Sequence, residues 1–365
     1  MEIQMDYFID STSFIQRLET AIARGGTPQL AQEVKDIANL KERCFLQLHP
    51  GDERAIANQL IAAGRSLAKE SVYHEDTVTA FKLAIHCTLR GGAHTDCLED
   101  IVSHMDALFV AAPLAGAKIA RFIAETAPPT HSLQHRMRAA IITYADSIVA
   151  ADPAAAVSYL IFTTYGLKEG SAEQQQGIAA LLQHAPAIAK ASPALIFEGL
   201  ILTAASTKNV SLQERVRLMA LECADAAAKH HLSNTIWAEE GFARDVAGTP
   251  LEPQVVTKWS QHLDTLSTQN PIAAFSKAFN RTSDESPIQR AAAIEKMIKY
   301  TSAAYETQHM DVSAALRAFR VAAHLAGEGS ALQKYRELPA QHLEPLTSTD
   351  KMMLSIQGAI QPPHL

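Results

Sequence analysis

From Cys97 to Ala205 the apolar positions repeat in phase with three prolines, Pro113, Pro153 and Pro193, spaced forty residues apart. Ahead of each proline the same register holds Ile101, Ile141 and Leu181, then Leu108, Ile148 and Ile188. After each it holds Ala117, Val157 and Phe197, then Phe122, Phe162 and Leu202. Two helical patterns within a period near forty are the mark of stacked antiparallel helix pairs, so the expected fold class is all-α. Within each unit the first helix is expected to open at Thr95, Ser132, Ser171 or Ser211, the last with Glu214 completing a capping box. The second helix opens at Ala112-Pro113, Asp152-Pro153 or Ser192-Pro193. Proline is free of cost there, because a first-turn amide has no helical partner.

The pattern continues more loosely on both sides. Upstream, helices with Ile15 and Leu18, with Leu30, Val34 and Ile37, with Ile56 and Leu60, and with Val78, Phe81 and Ile85 are divided by Gly25-Gly26, His49-Pro50-Gly51 and Gly91-Gly92. Downstream, helices carry Ile236 and Phe242 from Ser233 on, then Val255 and Trp259, then Phe275 after Asn270-Pro271, then Ile294, then Val312 and Leu316. The organisation read from this is a single continuous array over residues 1–345. Residues 1–92 form divergent helices, 93–330 the repeats, and 346–365 a tail with a short helix.

The start Asp152-Pro153, with the apolar Val157 four residues on, is similar to HEAT-type two-helix repeats. The resemblance covers residues 95–205 well and 50–330 loosely. It implies an α-α superhelix, and with it the binding role common to such arrays.

Composition narrows the classes. The chain is 47% hydrophobic, rich in Ala and Leu, with aromatics at 6% and no long alternating run of Val, Ile, Thr and Tyr, which favours helices. A formal net charge of −7 supplies no global basic field for nucleic acid. Cys44, Cys87, Cys97 and Cys223 lack a disulfide spacing and read as buried thiols of a reducing compartment. The first residues carry no signal-peptide pattern and no stretch is apolar enough for a bilayer, so the expectation is a cytoplasmic protein with no membrane contact.

Two groups could carry chemistry. Around the turn at Gly91, Cys87, His94, Cys97 and His104 are ligand types that zinc prefers, though without a knuckle spacing. Packing explains them more simply, since Tyr144 and His184 recur in the column of His104. The second group comes from a scarcity of charge between Ala139 and Val210, which marks a covered stretch or an apolar interaction surface anchored by Tyr159, Phe162, Tyr165 and Phe197. A neutral solvated face of Ala, Ser, Thr and Gln with the aromatics in the core explains it more simply. No HExxH, GxxxxGK[ST] or GxGxxG motif occurs. The expected function is a non-catalytic scaffold that binds another protein, a peptide or a second copy of itself, with no cofactor. A helical enzyme or zinc-binding protein using residues 86–104 is the alternative. Nucleic-acid binding through Lys277, Arg281, Arg290, Lys296, Lys299, Arg317 and Arg320 is the weaker one.

Overall fold

The computed structural model describes residues 11–24, 26–43, 52–89, 92–128, 132–165, 167–168, 170–281 and 286–306. The expected helix at Val312 and the tail at 346–365 lie outside these. Among the described residues the chain is all-helical, without strands. The helices are α1 (Ser11–Arg24), α2 (Thr27–Arg43), α3 (Glu53–Leu67) and α4 (His74–Thr88), then α5 (His94–Val102), α6 (Met105–Ala111) and α7 (Pro113–Thr126). Next come α8 (Ser132–Thr143), α9 (Ala145–Ala151), α10 (Pro153–Thr164), α11 (Ala172–Ala191), α12 (Pro193–Ala205) and α13 (Val210–Asp245). The last three are α14 (Glu252–Gln269), α15 (Pro271–Asn280) and α16 (Pro287–Glu306).

Each repeat turns on one residue. Ala112, Asp152, Ser192 and Asn270 have φ of −148°, −159°, −148° and −150°, with ψ between 65° and 101°. A residue before proline is pushed out of the α region, so the helix must break there. The chain needs no loop to do it. The corner amide still donates to the carbonyl four residues back, as Ala112 does to Leu108 (2.7 Å) and Ser192 to Ile188 (2.7 Å). Asp152 also caps the helix it opens, accepting from the amides of Ala154 and Ala155 at 2.9 and 3.1 Å.

A fifth corner lies where no proline marks it. Within α13, His231 has φ −145° and ψ 68°, and Leu232 follows in place of proline. The corners therefore fall at residues 112, 152, 192, 231 and 270. Two caps also differ from expectation. Asn209, not Ser211, opens α13 by accepting from the Leu212 amide at 3.1 Å, and α5 starts at His94 with no side-chain cap. Ser171 does cap α11, accepting from the Gln174 amide.

The chain forms two compact units, Met1–Met219 and Ala220–Leu365. In the first, the second helices of successive repeats pack side by side in the order α4, α7, α10, α12. Its core is the repeating apolar set: Ile101, Leu108, Ile119, Ile141, Ile148, Leu160, Leu181, Ile188 and Phe197 are all buried. The close approach of α11 to α10 requires Gly177, because a Cβ there would lie 2.7 Å from the backbone oxygen of Thr163. In the second unit the core gathers around Trp259, with Ile236, Leu263, Phe275, Met297 and Tyr300.

Candidate functional site

Numbering from the corner sorts the polar residues into rows. Eighteen residues before each corner stand His94, Gln134, Gln174, Gln213 and Glu252. In the first unit these side chains tie down helix ends, whose last carbonyls have no helical partner. Gln134 donates to Ala127 O (3.1 Å), Gln174 to Thr164 O and Ser206 O (3.4 and 3.2 Å), and Gln213 to Ala204 O (3.0 Å). His94 holds the equivalent place, with Nε2 3.3 Å from Thr126 O and Nδ1 3.3 Å from the Thr88 hydroxyl.

A second row pairs an acid six residues before one corner with a ring eight residues before the next. In the first unit the Tyr144 hydroxyl donates to Asp106 (3.4 Å) while its ring stacks on Phe109 at 4.6 Å, and His184 Nε2 lies 3.5 Å from Asp146. In the second, His262 Nε2 lies 3.4 Å from Asp225, and Asp264, six residues before the Asn270 corner, also accepts from a ring, the Tyr300 hydroxyl at 2.8 Å. His104 begins this row without an acid. Its Nε2 is buried and unpartnered, and burial, reinforced by Arg65, holds its pKa below the usual imidazole value.

These rows account for two of the four ligand candidates at the Gly91 turn. His94 is spent on the helix end, and His104 belongs to the ring row. Cys97 is fully buried, and burial raises its thiol pKa despite a hydrogen bond with Thr88. Cys87 is half-buried on α4. The structure does not bring the four together as a ligand set, and among the described residues no three His, Cys, Asp or Glu side chains are placed to hold a metal ion.

The four surface candidates also separate. Phe197 is fully buried and is part of the core, which removes it from any surface. Tyr165 is 59% exposed at the end of α10. Tyr159 and Phe162 are half-buried on α10. Beneath Phe162 lies Arg138, which was not foreseen: its guanidinium sits 4.1 Å from the ring centroid and donates to the carbonyls of Phe162 and Tyr165. A cation at a helix C-terminus suits the helix dipole, so Arg138 fixes both the end of α10 and the ring above it.

Phe162 belongs to a column ten residues past each corner that includes Phe122 and Leu202, with Lys82 forty residues ahead of Phe122. Lys82 lies 5.1 Å from the Phe122 centroid, and Arg121, next to Phe122, lies 5.4 Å from the Phe162 centroid. His86 meets the edge of Phe122 at 5.2 Å. The column thus crosses α4, α7, α10 and α12, grading from cation and aromatic to plain apolar. It ends at Leu202, which is 55% exposed.

Among the most buried polar residues of the second unit is Glu239, 1% exposed, with one oxygen 2.8 Å from His262 Nδ1 and the other unpartnered. His262 therefore has a carboxylate on each nitrogen, and Asp225 is also paired with Lys258. Burial works against charge on the imidazole, but the Glu239 hydrogen bond and the charges of Glu239 and Asp225 outweigh it and raise its pKa. Burial pushes Glu239 up as well. Both ring nitrogens of His262 are thus engaged by carboxylates. An open groove of about 350 Å³ lined by Leu221, Pro253, Gln254, Thr257, Lys258 and Gln261 lies on the same unit.

The basic residues near the end of the described chain are largely consumed by internal pairs. Lys296 and Lys299 hold Asp264 at 2.6 and 2.9 Å, Lys277 faces Glu240, and Arg281 is buried over the Trp259 ring. Arg317 and Arg320 lie outside the described residues. Among the described residues no helix is long and apolar enough to cross a membrane. No family model, no curated protein and no solved structure matches this chain.

Proposed function

We propose that the protein is a non-catalytic, HEAT-like α-solenoid scaffold that binds a segment of another protein across the second helices of its first unit. The observation that carries this reading is the column Lys82, Phe122, Phe162 and Leu202. One register position on four neighbouring helices presents cationic, aromatic and apolar side chains along a single surface. Solenoids use such repeated positions as extended binding faces. Half-buried aromatics and arginines are the residue types that anchor interfaces, and here Arg138 and Arg121 hold one such ring in place.

The test is capture of partners from the source cell by wild type, by Leu202→Asp, and by Val110→Asp on α6 as a control outside the column. Val110 is 76% exposed, so both substitutions are expected to leave the helical circular dichroism intact. Loss of a partner with Leu202→Asp but not with Val110→Asp is the expected result. Identical partner sets for all three proteins would remove the column from consideration.

A further inference from the structure

The column is not chemically uniform, and its gradient states what kind of segment it fits. On α4 and α7 it holds three cations, Lys82, Lys118 and Arg121. Two of them have acids of their own: Lys118 pairs with Glu75 at 2.6 Å and Arg121 with Glu125 at 2.8 Å. Lys82 has no carboxylate within ion-pair distance among the described residues and rests on the Phe122 ring. Burial, followed by the repulsion of Lys118, lowers its pKa against the attraction of Glu75 and Glu125, neither of which reaches it as an ion-pair partner. On α10 and α12 the same surface turns apolar. Tyr159, Ile161 and Phe162 are half-buried, Ile201 is half-buried, and Leu202 is exposed, without a basic residue among them.

We infer that this surface binds an extended peptide segment with carboxylates toward one end and apolar side chains toward the other, the acidic end lying over Lys82 and Arg121 and the apolar end over Ile201 and Leu202. The inference rests on the scaffold reading and adds to it the partner's chemistry and direction. A carboxylate over Lys82 would give it a contact ion pair, which Glu75 and Glu125, held by Lys118 and Arg121, do not make. Packed helices stand about 8–10 Å apart, so three steps from α4 to α12 cover roughly 24–30 Å. An extended chain covers that distance in about seven to nine residues. A nucleic-acid strand fits less well. Its unbroken row of phosphates would meet Glu75 and Glu125 between the cations, whereas a peptide can place its carboxylates where the cations are.

An array of ten-residue peptides tests this with the full chain. The array varies the number and position of Asp and Glu against Leu and Phe, with Gln-substituted copies, reversed copies, and single-stranded oligonucleotides alongside. Acid-first or apolar-first peptides of one polarity are expected to bind best, and Gln substitution to weaken them by about tenfold, the effect of losing roughly one well-placed ion pair. Lys82→Glu with Arg121→Glu should abolish the preference for acid while leaving apolar peptides bound, and Leu202→Asp should do the reverse. Circular dichroism and thermal melting establish that each variant is folded. If Gln copies bind as well as their acidic parents, the inferred chemistry falls while the scaffold survives. Tighter oligonucleotide binding, or no peptide bound by a folded wild type, overturns the inference. In the latter case the partner capture described above decides separately whether the scaffold stands.

Discussion

The two units carry the same polar rows with different chemistry. In the first, helix ends are held by neutral amides, and the acids of the ring row are solvated: Asp146, facing His184, is 86% exposed. In the second, the amide position holds Glu252, which is 2% exposed. A carboxylate cannot donate to a helix-end carbonyl as Gln174 does. Instead it accepts from the Gly248 amide (2.7 Å), the Ser286 hydroxyl and Gln289 Nε2 (2.8 Å), while Gln289 takes over the donation to a carbonyl, that of Ala243. Likewise Asp264 gathers Lys296, Lys299 and Tyr300 where Asp106 has one long bond from Tyr144. One register can thus be filled by a neutral amide, as Gln174 joins the Gly170 amide to the Thr164 and Ser206 carbonyls, or by a coupled charged network. The coupled version makes each member costlier to lose.

Both tryptophans of the chain, Trp237 and Trp259, belong to the second unit, so their fluorescence follows that unit while circular dichroism follows both. Glu252→Ala removes the acceptor shared by the Gly248 amide, the half-buried Ser286 hydroxyl and the buried Gln289 Nε2, and should lower the stability read by fluorescence in urea by about 3 kcal/mol. Gly177→Ala drives a Cβ against a backbone oxygen that cannot retreat, and should cost about 2 kcal/mol in a transition seen by circular dichroism alone. Gln174→Ala, the first-unit counterpart of Glu252→Ala, should cost about 1 kcal/mol. Equal losses for Glu252→Ala and Gln174→Ala would erase the proposed contrast.

A pH series sharpens the same contrast. The folded pKa of His262 is raised, so its stabilising contribution is complete below the unfolded value of about 6.5 and is lost as pH rises through the folded value. Glu239, also raised, acts in the same direction. The fluorescence-detected stability should therefore decline above neutrality, with a slope of at most about 1.4 kcal/mol per pH unit for one proton. His262→Asn should flatten that decline, and a decline unchanged in the variant would clear His262 of responsibility. Smallest of all, Asp146→Asn should change stability by no more than about 0.5 kcal/mol, because an exposed partner contributes little.

The helix pairs around the three prolines were legible in the sequence because proline imposes the break locally. The break near His231 was legible only to within two residues, as a new helix from Ser233, since Leu232 imposes no constraint that would fix the corner residue. The amide row escaped notice for a different reason. Gln134, Gln174 and Gln213 look like ordinary solvated residues until they are numbered from a corner, and His94 disguises the first member as a metal ligand. Phe197 and Phe162 show the opposite difficulty. Both are aromatic and sit in second helices of the repeat, yet only the packing of α10 and α12 decides that one is core and the other half-exposed over Arg138. The missing ring-row members are readable in retrospect, as Pro186 and Cys223 fill the positions where an acid and a ring would stand.

The one-residue corner also sets how such a chain can change length. A residue added inside the helix that follows, between the corner and the column position, would turn everything beyond it by about 100° about that helix's axis. Leu202 would then leave the line that Phe122 and Phe162 define, although every helix stayed intact. Additions between a second helix and the next first helix, as between Thr164 and Ala172, would leave that line in phase. The stretch from corner to column is therefore where length matters to the surface, and the connections between pairs are where added residues would leave it intact.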